Sequence, residues 1–402
     1  MSLQKENQPT KEHILYLGES GFPYGLAATQ RMILIAKSLL IENYKVTVLC
    51  RKGKLNKKNN PGFDVEGTFE GINYLYTSGN VFKPEGFLKR NISKIKGIIG
   101  EFKYLYRLKK ANNITLAIIS NHKVIHVLRY RLYASIIGFP VVLNFVEMRS
   151  SMQNRSSIGQ RINDYFMDNY FVKMVDGAIP ISDYLMAYYQ KVSPKTPILK
   201  LPIISDFEKF ELEKSNEEPY FLYCGSMAYR QVIDFIFEAY KNIPDNESAK
   251  LYMIVSGGSK KEVELLQQEV NNQFDVPKIK LFSNIPYEQL VYLYVNAIAL
   301  LIPLRPTAQD TARFPHKIGE YLASGNPIIT TKVGEIKNYF EDEKTALVAD
   351  SYDVSAYAEK MEFVLKNPEK SKAIGLNGKA LGLKEFDYKT QGSRLRKFLN
   401  QF

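Results

Sequence analysis

The run RFPHKIGEYLASGNPIITTKVGEIKNYF, residues 313–340, combines residue types that suit the binding of a phosphate ester. Pro315 can open a helix there, because its missing N–H would have no partner in a first helical turn. The amides of Phe314, His316 and Lys317 would then lie at the start of this helix, where the aligned peptide dipoles attract anions. The run therefore predicts an anion site.

Glu320 lies inside that helix, between the apolar residues Ile318 and Tyr321. The local sequence leaves two interpretations open, a solvated surface carboxylate or a carboxylate that binds ligand hydroxyl groups. Gly325 ends the helix, and residues 328–331 follow as a β-rich run that is typical of a strand buried on both faces. The helix therefore directs its first turn toward the sheet edge at which parallel sheets usually bind ligands.

Two further turns between a strand and a helix contain glycine. The first carries Gly18, Gly21 and Gly25, a spacing that differs from the dinucleotide fingerprint G-x-G-x-x-G. Gly25 is a candidate for close approach to a ligand phosphate, although an ordinary turn explains such glycines equally well. The second turn contains Gly225, the hydroxyl of Ser226, and Arg230, which either reaches a diphosphate or is solvated.

Length and composition predict the organisation of the chain. At 402 residues with 45% hydrophobic residues, the chain is long enough for two domains with separate cores. The two cysteines, Cys50 and Cys224, lie in different halves, so we expect neither a disulfide framework nor a zinc cluster. The N-terminal residues lack the apolar core of a signal peptide, and the longest uncharged stretches, of about fifteen residues, are too short to span a bilayer.

The net charge of +12 is concentrated in part of the first half, where residues 51–110 hold fourteen Lys or Arg against five acids. Within this segment a 4-3-4-3-4 spacing places apolar residues on one face of a basic helix, namely Leu88, Ile92, Ile95, Ile99, Phe102 and Tyr106. The apolar face either covers the sheet of its own domain, which we take as the first expectation, or contacts an anionic membrane. No nucleic-acid motif accompanies the charge.

Apolar strand-like runs alternate with helical patterns in both halves, which predicts two parallel sheets covered by helices. The expected strands of the first half begin at His13, Lys45, Ile72, Thr115, Val141 and Gly177, and those of the second half at Tyr220, Lys250, Ile279, Ala297, Ile328 and Ala346. Two such domains joined by a short linker would enclose a cleft, and we expect ligand sites at the carboxyl ends of the strands.

Several motifs together resemble glycosyltransferase family 4, the group 1 glycosyl transferases with a GT-B fold. In the second half they are Gly225-Ser226 before a basic residue and an apolar helix, VSGG at 255–258, SNIPYEQLVYLYVNA, and FPHKIGEYLASGNPII. In the first half they are the glycine-rich loop, VDGAIPISDYL and KLPIISDFEKF. The resemblance covers nearly the whole chain.

The resemblance implies two Rossmann-like α/β/α domains that face each other across a cleft. Residues 12–205 would bind the acceptor, residues 218–385 would bind the nucleotide sugar, and the helix at 386–402 would pack back toward the N-terminal domain.

The family resemblance also assigns the donor site residue by residue. Glu320 matches the second Glu of the family's Glu-x7-Glu signature, which usually binds the ribose hydroxyls. The first Glu is replaced by Ala312, so Asp310 is the nearest substitute for contact with the donor sugar, together with Arg313. The remaining residues implied for the nucleotide and diphosphate are Gly25, Gly225, Ser226, Arg230, Arg305, Phe314, His316, Lys317 and Ile318.

Ser226 stands where the family commonly has Arg, so Arg230 is the local cation, with Arg305, Arg313 and Lys317 as reinforcements.

In the first half, the family often has a His or an acid after the fifth strand, near the reacting bond. Here Glu147 and Arg149 follow the run VVLNFV, and His122, after the preceding strand, is a further candidate for a catalytic role.

The resemblance implies a metal-independent, hexosyltransferase-like enzyme that transfers a sugar from a nucleotide diphosphate sugar to a glycan or a lipid-linked acceptor with retention. It needs no cofactor besides that co-substrate, since helix amides and cations stabilise the departing phosphate. The alternatives are a GT-B epimerase or hydrolase of sugar nucleotides, and a non-catalytic glycan- or nucleotide-binding homologue. We expect a cytoplasmic protein that makes polysaccharides or glycoconjugates, with residues 87–110 as a candidate contact to the inner face of the plasma membrane and with no nucleic-acid partner.

Overall fold

The computed structural model describes residues 12–402 apart from residues 20, 26, 58–61, 121–122, 153–156, 216–217, 245–248 and 273–277. The chain forms two compact units. Unit 1 contains residues 1–204 and 388–402, and unit 2 contains residues 205–387.

The described residues of unit 1 form a seven-stranded sheet in the order β3-β4-β2-β1-β5-β6-β7. Neighbouring strands are parallel except β3, which pairs antiparallel with β4. The strands are β1 His13–Glu19, β2 Lys45–Cys50, β3 Glu66–Phe69, β4 Ile72–Tyr76, β5 Leu116–Ile119, β6 Val141–Phe145 and β7 Gly177–Pro180. The helices are α1 Ala27–Ile41, α2 Phe87–Lys110, α3 Val124–Ile137, α4 Ile158–Asn169 and α5 Asp183–Val192.

The described residues of unit 2 form a six-stranded parallel sheet in the order β10-β9-β8-β11-β12-β13. Its strands are β8 Tyr220–Ser226, β9 Lys250–Ser256, β10 Ile279–Phe282, β11 Ala299–Ile302, β12 Ile328–Thr331 and β13 Leu347–Ala349. Its helices are α6 Arg230–Lys241, α7 Lys260–Asn271, α8 Tyr287–Asn296, α9 Ala308–Ala312, α10 Lys317–Ser324, α11 Ile336–Tyr339, α12 Val354–Lys366 and α13 Pro368–Phe386.

The last helix, α14 Tyr388–Leu399, belongs to unit 1 and packs on α1. Leu395, Phe398 and Leu399 join the apolar core on that side of the first sheet. The hydroxyl of Ser38 on α1 donates a hydrogen bond of 2.6 Å to the carbonyl oxygen of Tyr388. The predicted return of the C-terminal helix to the N-terminal domain is therefore confirmed.

The twelve strands expected from the sequence all form, within one or two residues of their expected ends, because each is an apolar run that the sheets bury. The thirteenth strand, β3, was not expected. It is a four-residue edge strand of sequence EGTF with mostly exposed side chains, so it lacks the apolar pattern that marked the others.

Helix α2 corrects the first expectation for the basic amphipathic segment. Its buried residues are Gly97, Glu101 and Leu105, whereas the expected apolar face points to solvent apart from the half-buried Phe102, which packs on Tyr133. The exposed fractions of Leu88, Ile92, Ile95, Ile99 and Tyr106 are 71%, 44%, 58%, 50% and 46%. At 100° per residue these positions lie about half a turn away from the buried ones. The apolar face therefore does not cover the sheet.

Two glycines explain which face of α2 turns inward. A Cβ at Gly97 would lie 1.8 Å from the carbonyl oxygen of Arg51, and one at Gly100 would lie 2.2 Å from that of Thr77. Arg51 follows β2 and Thr77 follows β4, so the helix runs directly over the carboxyl ends of these two strands. This approach is possible only for residues without a side chain.

Candidate functional site in the second unit

The order of the strands places a crevice at the carboxyl ends of β8 and β11. From β8 the chain proceeds outward through β9 to β10, then returns to β11 on the other side of β8. Parallel α/β sheets bind ligands at such a reversal of strand order. Residues directly after β8 and β11 are therefore in position to bind a ligand of this unit.

Glu320 lies in the first turn of α10 and is half-buried. Burial raises the pKa of its carboxyl group from 4.5 to about 7, and the nearby cations Lys317 and Lys209 oppose this rise. The next residue, Tyr321, accepts a hydrogen bond of 3.1 Å from the Cys224 N–H through its hydroxyl, so this turn of α10 lies beside the end of β8. Among the described residues no hydrogen bond or ion pair to the Glu320 side chain is found, so its oxygens can accept hydrogen bonds from a ligand.

Asp310, on the short helix α9, is fully buried between two arginines. Its carboxylate accepts hydrogen bonds from Arg305 Nε at 2.7 Å and from Arg305 Nη2 at 3.1 Å, and from the Arg305 backbone N–H at 3.0 Å. Arg313 Nη2 makes an ion pair with the other face of this group at 2.8 Å. Burial alone would raise the pKa of Asp310, but these donors outweigh burial and lower it. The carboxylate is therefore ionised, and both of its oxygens are bound by arginine donors.

Both arginines lie over the side chain of Tyr229, a residue that was not predicted from the sequence. Arg313 Nη1 donates a hydrogen bond of 2.8 Å to the Tyr229 hydroxyl, and the Arg313 guanidinium lies 4.8 Å from the ring centre. The Arg305 guanidinium lies 5.6 Å from the same ring. Tyr229 could have been predicted as a site residue from the sequence GSMAYR, in which an aromatic residue follows the glycine turn. The described residues thus hold two cations beside the end of β8.

The residues predicted in the turn after β8 have different partners in the structure. Ser226 caps a single 3-10 turn by accepting a hydrogen bond of 3.3 Å from Ala228 N–H, and it follows Gly225 at the end of β8. Arg230 instead forms exposed ion pairs, from Nε to Asp234 at 2.6 Å and from Nη2 to Glu269 at 2.5 Å. Its guanidinium is therefore bound by carboxylates of α6 and α7, while Arg305 and Arg313 share Asp310.

The predicted start of α10 is close to the observed one. The helix begins at Lys317, with His316 as the preceding cap residue, and Gly325 ends it in the left-handed conformation at φ 76°. Phe314 is buried and stacks on Tyr339 at 5.6 Å between ring centres. Ile318 is likewise fully buried, so these two side chains hold the helix in place.

In unit 1, the predicted residues lie after different strands. Gly25 is exposed at the entrance to α1, where a Cβ would lie 2.0 Å from the Thr29 hydroxyl oxygen. Glu147 is half-buried in the segment after β6, and Arg149 begins a short 3-10 helix there. His122 lies outside the described residues.

A buried polar network at the centre of unit 1 was not predicted from the sequence. Asn144 Nδ2 donates hydrogen bonds to Ser120 Oγ at 3.1 Å and to the Tyr16 hydroxyl at 3.3 Å. The Asn144 carbonyl oxygen accepts a hydrogen bond of 3.2 Å from Arg31 Nε. These residues lie at the reversal between β1 and β5, the equivalent of the crevice in unit 2. The signal was Asn144 itself, a polar residue within the apolar run VVLNFV.

Comparison with known families gives a match over the second unit. Residues 204–381 match the family described as glycosyl transferases group 1. This segment contains β8 to β13, the two arginines and Glu320.

Two curated relatives are mannosyltransferases. The chain is 28% identical over 163 residues to O-antigen chain mannosyltransferase B of Escherichia coli, covering 40% of this chain and 39% of that protein. It is 26% identical over 165 residues to the GDP-mannose-dependent alpha-(1-6)-phosphatidylinositol monomannoside mannosyltransferase of Mycolicibacterium smegmatis, covering 40% and 42%. The matched segment thus spans about two fifths of each relative's length.

Solved structures share the fold over nearly the whole chain. Sucrose-phosphate synthase of Thermosynechococcus elongatus superposes with a TM-score of 0.76 at 16% identity, covering 97% of this chain and 99% of that chain. Anabaena HepE in complex with UDP-glucose superposes with a TM-score of 0.71 at 13% identity, covering 97% and 100%. At these identities the likeness concerns the fold, and it confirms the predicted GT-B architecture.

Proposed function

We propose that this chain, whose residues 204–381 belong to the glycosyl transferases group 1 and which has a GT-B fold, transfers a sugar from a nucleotide diphosphate sugar to a glycan or lipid-linked acceptor. The observation that carries the proposal is the half-buried Glu320, which lies without a protein partner among the described residues, beside the end of β8. A carboxylate in this position suits two vicinal hydroxyl groups, because each hydroxyl donates to one of its oxygens. In the proposed complex these are the ribose hydroxyls.

The diphosphate would be held by Arg305, Arg313 and Lys317. Departure of the nucleotide leaves negative charge on the β-phosphate, and preorganised cations stabilise that charge without further rearrangement. Asp310 supports this role because its carboxylate fixes both arginines. We therefore assign Asp310 to positioning Arg305 and Arg313 rather than to contact with the donor sugar. Of the two residues predicted to contact that sugar, Arg313 is then the one that remains, in addition to its proposed role at the diphosphate.

The proposed transfer retains the configuration of the sugar, and the departing phosphate takes the proton of the acceptor hydroxyl. It needs no metal, because Arg305, Arg313 and Lys317 would offset the charge on that phosphate. Glu147 and Arg149, after β6 of unit 1, remain the proposed residues that orient the acceptor.

Relatives suggest donors to test. One curated relative is named for GDP-mannose, and one structural neighbour was solved with UDP-glucose. Both donors present the same ribose and diphosphate, so the site described above suits either. We propose a hexose donor and a product in polysaccharide or glycoconjugate biosynthesis.

An anionic membrane surface is a proposed partner of α2. Its sequence carries eight Lys or Arg and a single acid, Glu101, which is buried. The exposed apolar residues on this helix are flanked on one side by Lys89, Lys96, Lys103 and Arg107. Helices with this arrangement lie in the interface of anionic bilayers. No helix among the described residues has the length and apolar character needed to cross a bilayer.

The enzymatic proposal is tested by incubating the protein with GDP-mannose, UDP-glucose and related donors, with and without a lipid extract as acceptor, and measuring released nucleoside diphosphate. We expect one donor to give acceptor-dependent release and a Glu320→Gln variant to lose most of it. Glu359→Gln, an exposed carboxylate on α12, is the matched control. Absence of both binding and release for every donor would exclude the transferase; interconversion of a donor without transfer would favour an epimerase.

A further inference from the structure

A second group of charged residues lies in unit 1 and comes from three segments of the chain. It comprises Arg51 and Lys52 after β2, Lys94 on α2, and Lys123, His126 and Arg129 at the start of α3. We call these six residues the α2–α3 cationic cluster. Two contacts of α2 bring these segments together: a Cβ at Gly97 would lie 1.8 Å from the Arg51 carbonyl oxygen, and Glu101 lies 3.5 Å from Arg129 Nε. In agreement with this, Arg51, Lys94 and Lys123 each lower the pKa of Lys52. Burial of Lys52 lowers this pKa further and is the largest cause.

Several buried polar atoms of this cluster make no hydrogen bond. In the part of the chain that the structure describes, Arg129 Nε and Nη2 and His126 Nδ1 have no hydrogen-bond acceptor. The Arg129 side chain is only 11% exposed. A buried donor without an acceptor costs about 1–3 kcal/mol, and a charged one costs more, so such groups are usually satisfied by a ligand or by water.

The charge of the cluster is also unbalanced. Among the described residues, the carboxylate that faces it is Glu101, which accepts a hydrogen bond of 2.9 Å from the Tyr130 hydroxyl and lies 3.5 Å from Arg129 Nε. Burial raises the pKa of Glu101 to about 7, although Arg129, Tyr130 and Arg51 oppose the rise. At neutral pH the Glu101 carboxyl is only partly ionised, so it offsets less than one full charge of its two neighbouring cations, Arg51 and Arg129.

The location suits an anionic ligand of unit 1. Arg51 directly follows β2, so the cluster lies at the carboxyl edge of the parallel sheet. Lys123, His126 and Arg129 recur every three residues along the first turns of α3, where the helix dipole adds to the positive potential. His126 is held neutral, since burial and the neighbouring cations lower its pKa to about 3, so its ring can donate or accept without adding charge.

We propose that the α2–α3 cationic cluster binds the phosphate group of the acceptor substrate, a phosphomonoester of a sugar or of a lipid. This inference rests on the proposed function, which assigns the acceptor to unit 1. A phosphate dianion offers oxygens to several donors at once and balances most of the excess charge.

The test is calorimetric titration of the full chain, without nucleotide, with glucose 6-phosphate and with n-octyl phosphate. Glucose and n-octyl glucoside are the uncharged counterparts. We expect at least one phosphate ester to bind more tightly than its counterpart, and the tighter of the two identifies a free sugar phosphate or a lipid phosphate as the source. If neither ester binds more tightly than its counterpart, the proposal is wrong.

Variants locate the binding. Lys52→Gln and Arg129→Gln should each weaken phosphate-ester binding about tenfold, because each removes a charge-assisted contact. Lys195→Gln, an exposed lysine of unit 1, should not change it. Unchanged binding in Lys52→Gln would overturn the proposal, and this variant stays informative if Arg129→Gln fails to fold.

Two further measurements separate this inference from others. Lys52→Gln should raise the unfolding temperature of the ligand-free protein, since a repulsive charge is removed; a lowered temperature would mean that Lys52 serves packing instead. Lys317→Gln and Glu320→Gln should bind the phosphate ester as the wild type does. Normal nucleotide binding without phosphate-ester binding would overturn this inference alone, whereas the reverse result would overturn the donor site and leave the cluster in place.

Discussion

The carboxylate of Asp310 and the guanidinium of Arg305 form a buried, doubly hydrogen-bonded ion pair, with Nε and Nη2 at 2.7 and 3.1 Å from the two carboxylate oxygens. Arg313 shares the same carboxylate. Asp310, the carboxylate predicted to substitute for the Glu that Ala312 replaces, thus holds in place the two cations beside β8.

Asp310→Asn should destabilise unit 2 because it leaves Arg305 and Arg313 without a buried counter-charge. Loss of one partner of a buried ion pair costs about 3–5 kcal/mol, and we expect about 3 kcal/mol in the free energy of unfolding measured with urea. Asp350→Asn removes a carboxylate that pairs with Lys332 on the surface, and it should change this energy far less than Asp310→Asn does, because water screens exposed ion pairs. Equal effects of the two variants would contradict the assignment of Asp310.

Glu320→Gln should change the pH dependence of stability. The pKa of Glu320 is about 7 in the folded protein and 4.5 when unperturbed, so the fold favours the neutral carboxyl. The wild type therefore loses stability as pH rises from about 4.5 to 7, and the variant, which is always neutral, does not. Between pH 5 and pH 8 we expect the stability of the variant relative to the wild type to rise by about 2–3 kcal/mol. Urea titrations at the two pH values measure this; a constant difference would mean that Glu320 titrates normally.

Gly97→Ala should destabilise unit 1, because its Cβ would meet the carbonyl oxygen of Arg51 at 1.8 Å and the backbone of α2 would have to move. Overpacking of this kind costs about 1–3 kcal/mol. Gly159→Ala on α4 is the control, since the nearest atom to its Cβ would be 3.8 Å away and alanine favours a helix. Thermal unfolding of both variants distinguishes them, and a neutral Gly97→Ala would show that α2 does not lie close to Arg51.

The exposed face of α2 should mediate binding to anionic vesicles. In a sedimentation assay with phosphatidylcholine vesicles, with and without phosphatidylglycerol, we expect the wild type to bind only the anionic ones. The triple variant Leu88→Gln, Ile92→Gln, Ile95→Gln should lose most of this binding because it removes the inserted apolar area.

The matched control for that assay replaces three exposed leucines of unit 2, Leu265, Leu376 and Leu383, by Gln. Equal loss in both triple variants, or no binding by the wild type, would exclude α2 as the membrane contact.

The sequence predicted the sheets well because each buried strand is an apolar run. It also predicted where α10 begins and ends, because Pro315 precedes the helix and Gly325 follows it. It predicted the wrong inward face for α2. Helical spacing reveals an apolar stripe but not which side the fold covers, and here Gly97 and Gly100 allow the closest approach to the strands.

The contacts of the sites were less accessible to sequence reasoning. Arg305, Asp310 and Arg313 are neighbours in the chain, yet their burial depends on the loop around α9. The α2–α3 cationic cluster combines Arg51, Lys94 and Arg129 from three distant segments, so only the folded chain brings it together.

The most direct test of the proposed function is the affinity of the full chain for GDP and for UDP, measured by calorimetry on the wild type, Glu320→Gln and the exposed-site control Glu359→Gln. We predict that one nucleotide binds the wild type and the control equally, and that Glu320→Gln binds it about tenfold more weakly, because the amide of Gln replaces one of the two acceptor oxygens by a donor. Equal affinity of Glu320→Gln and the wild type, or no binding of either nucleotide, would contradict the account.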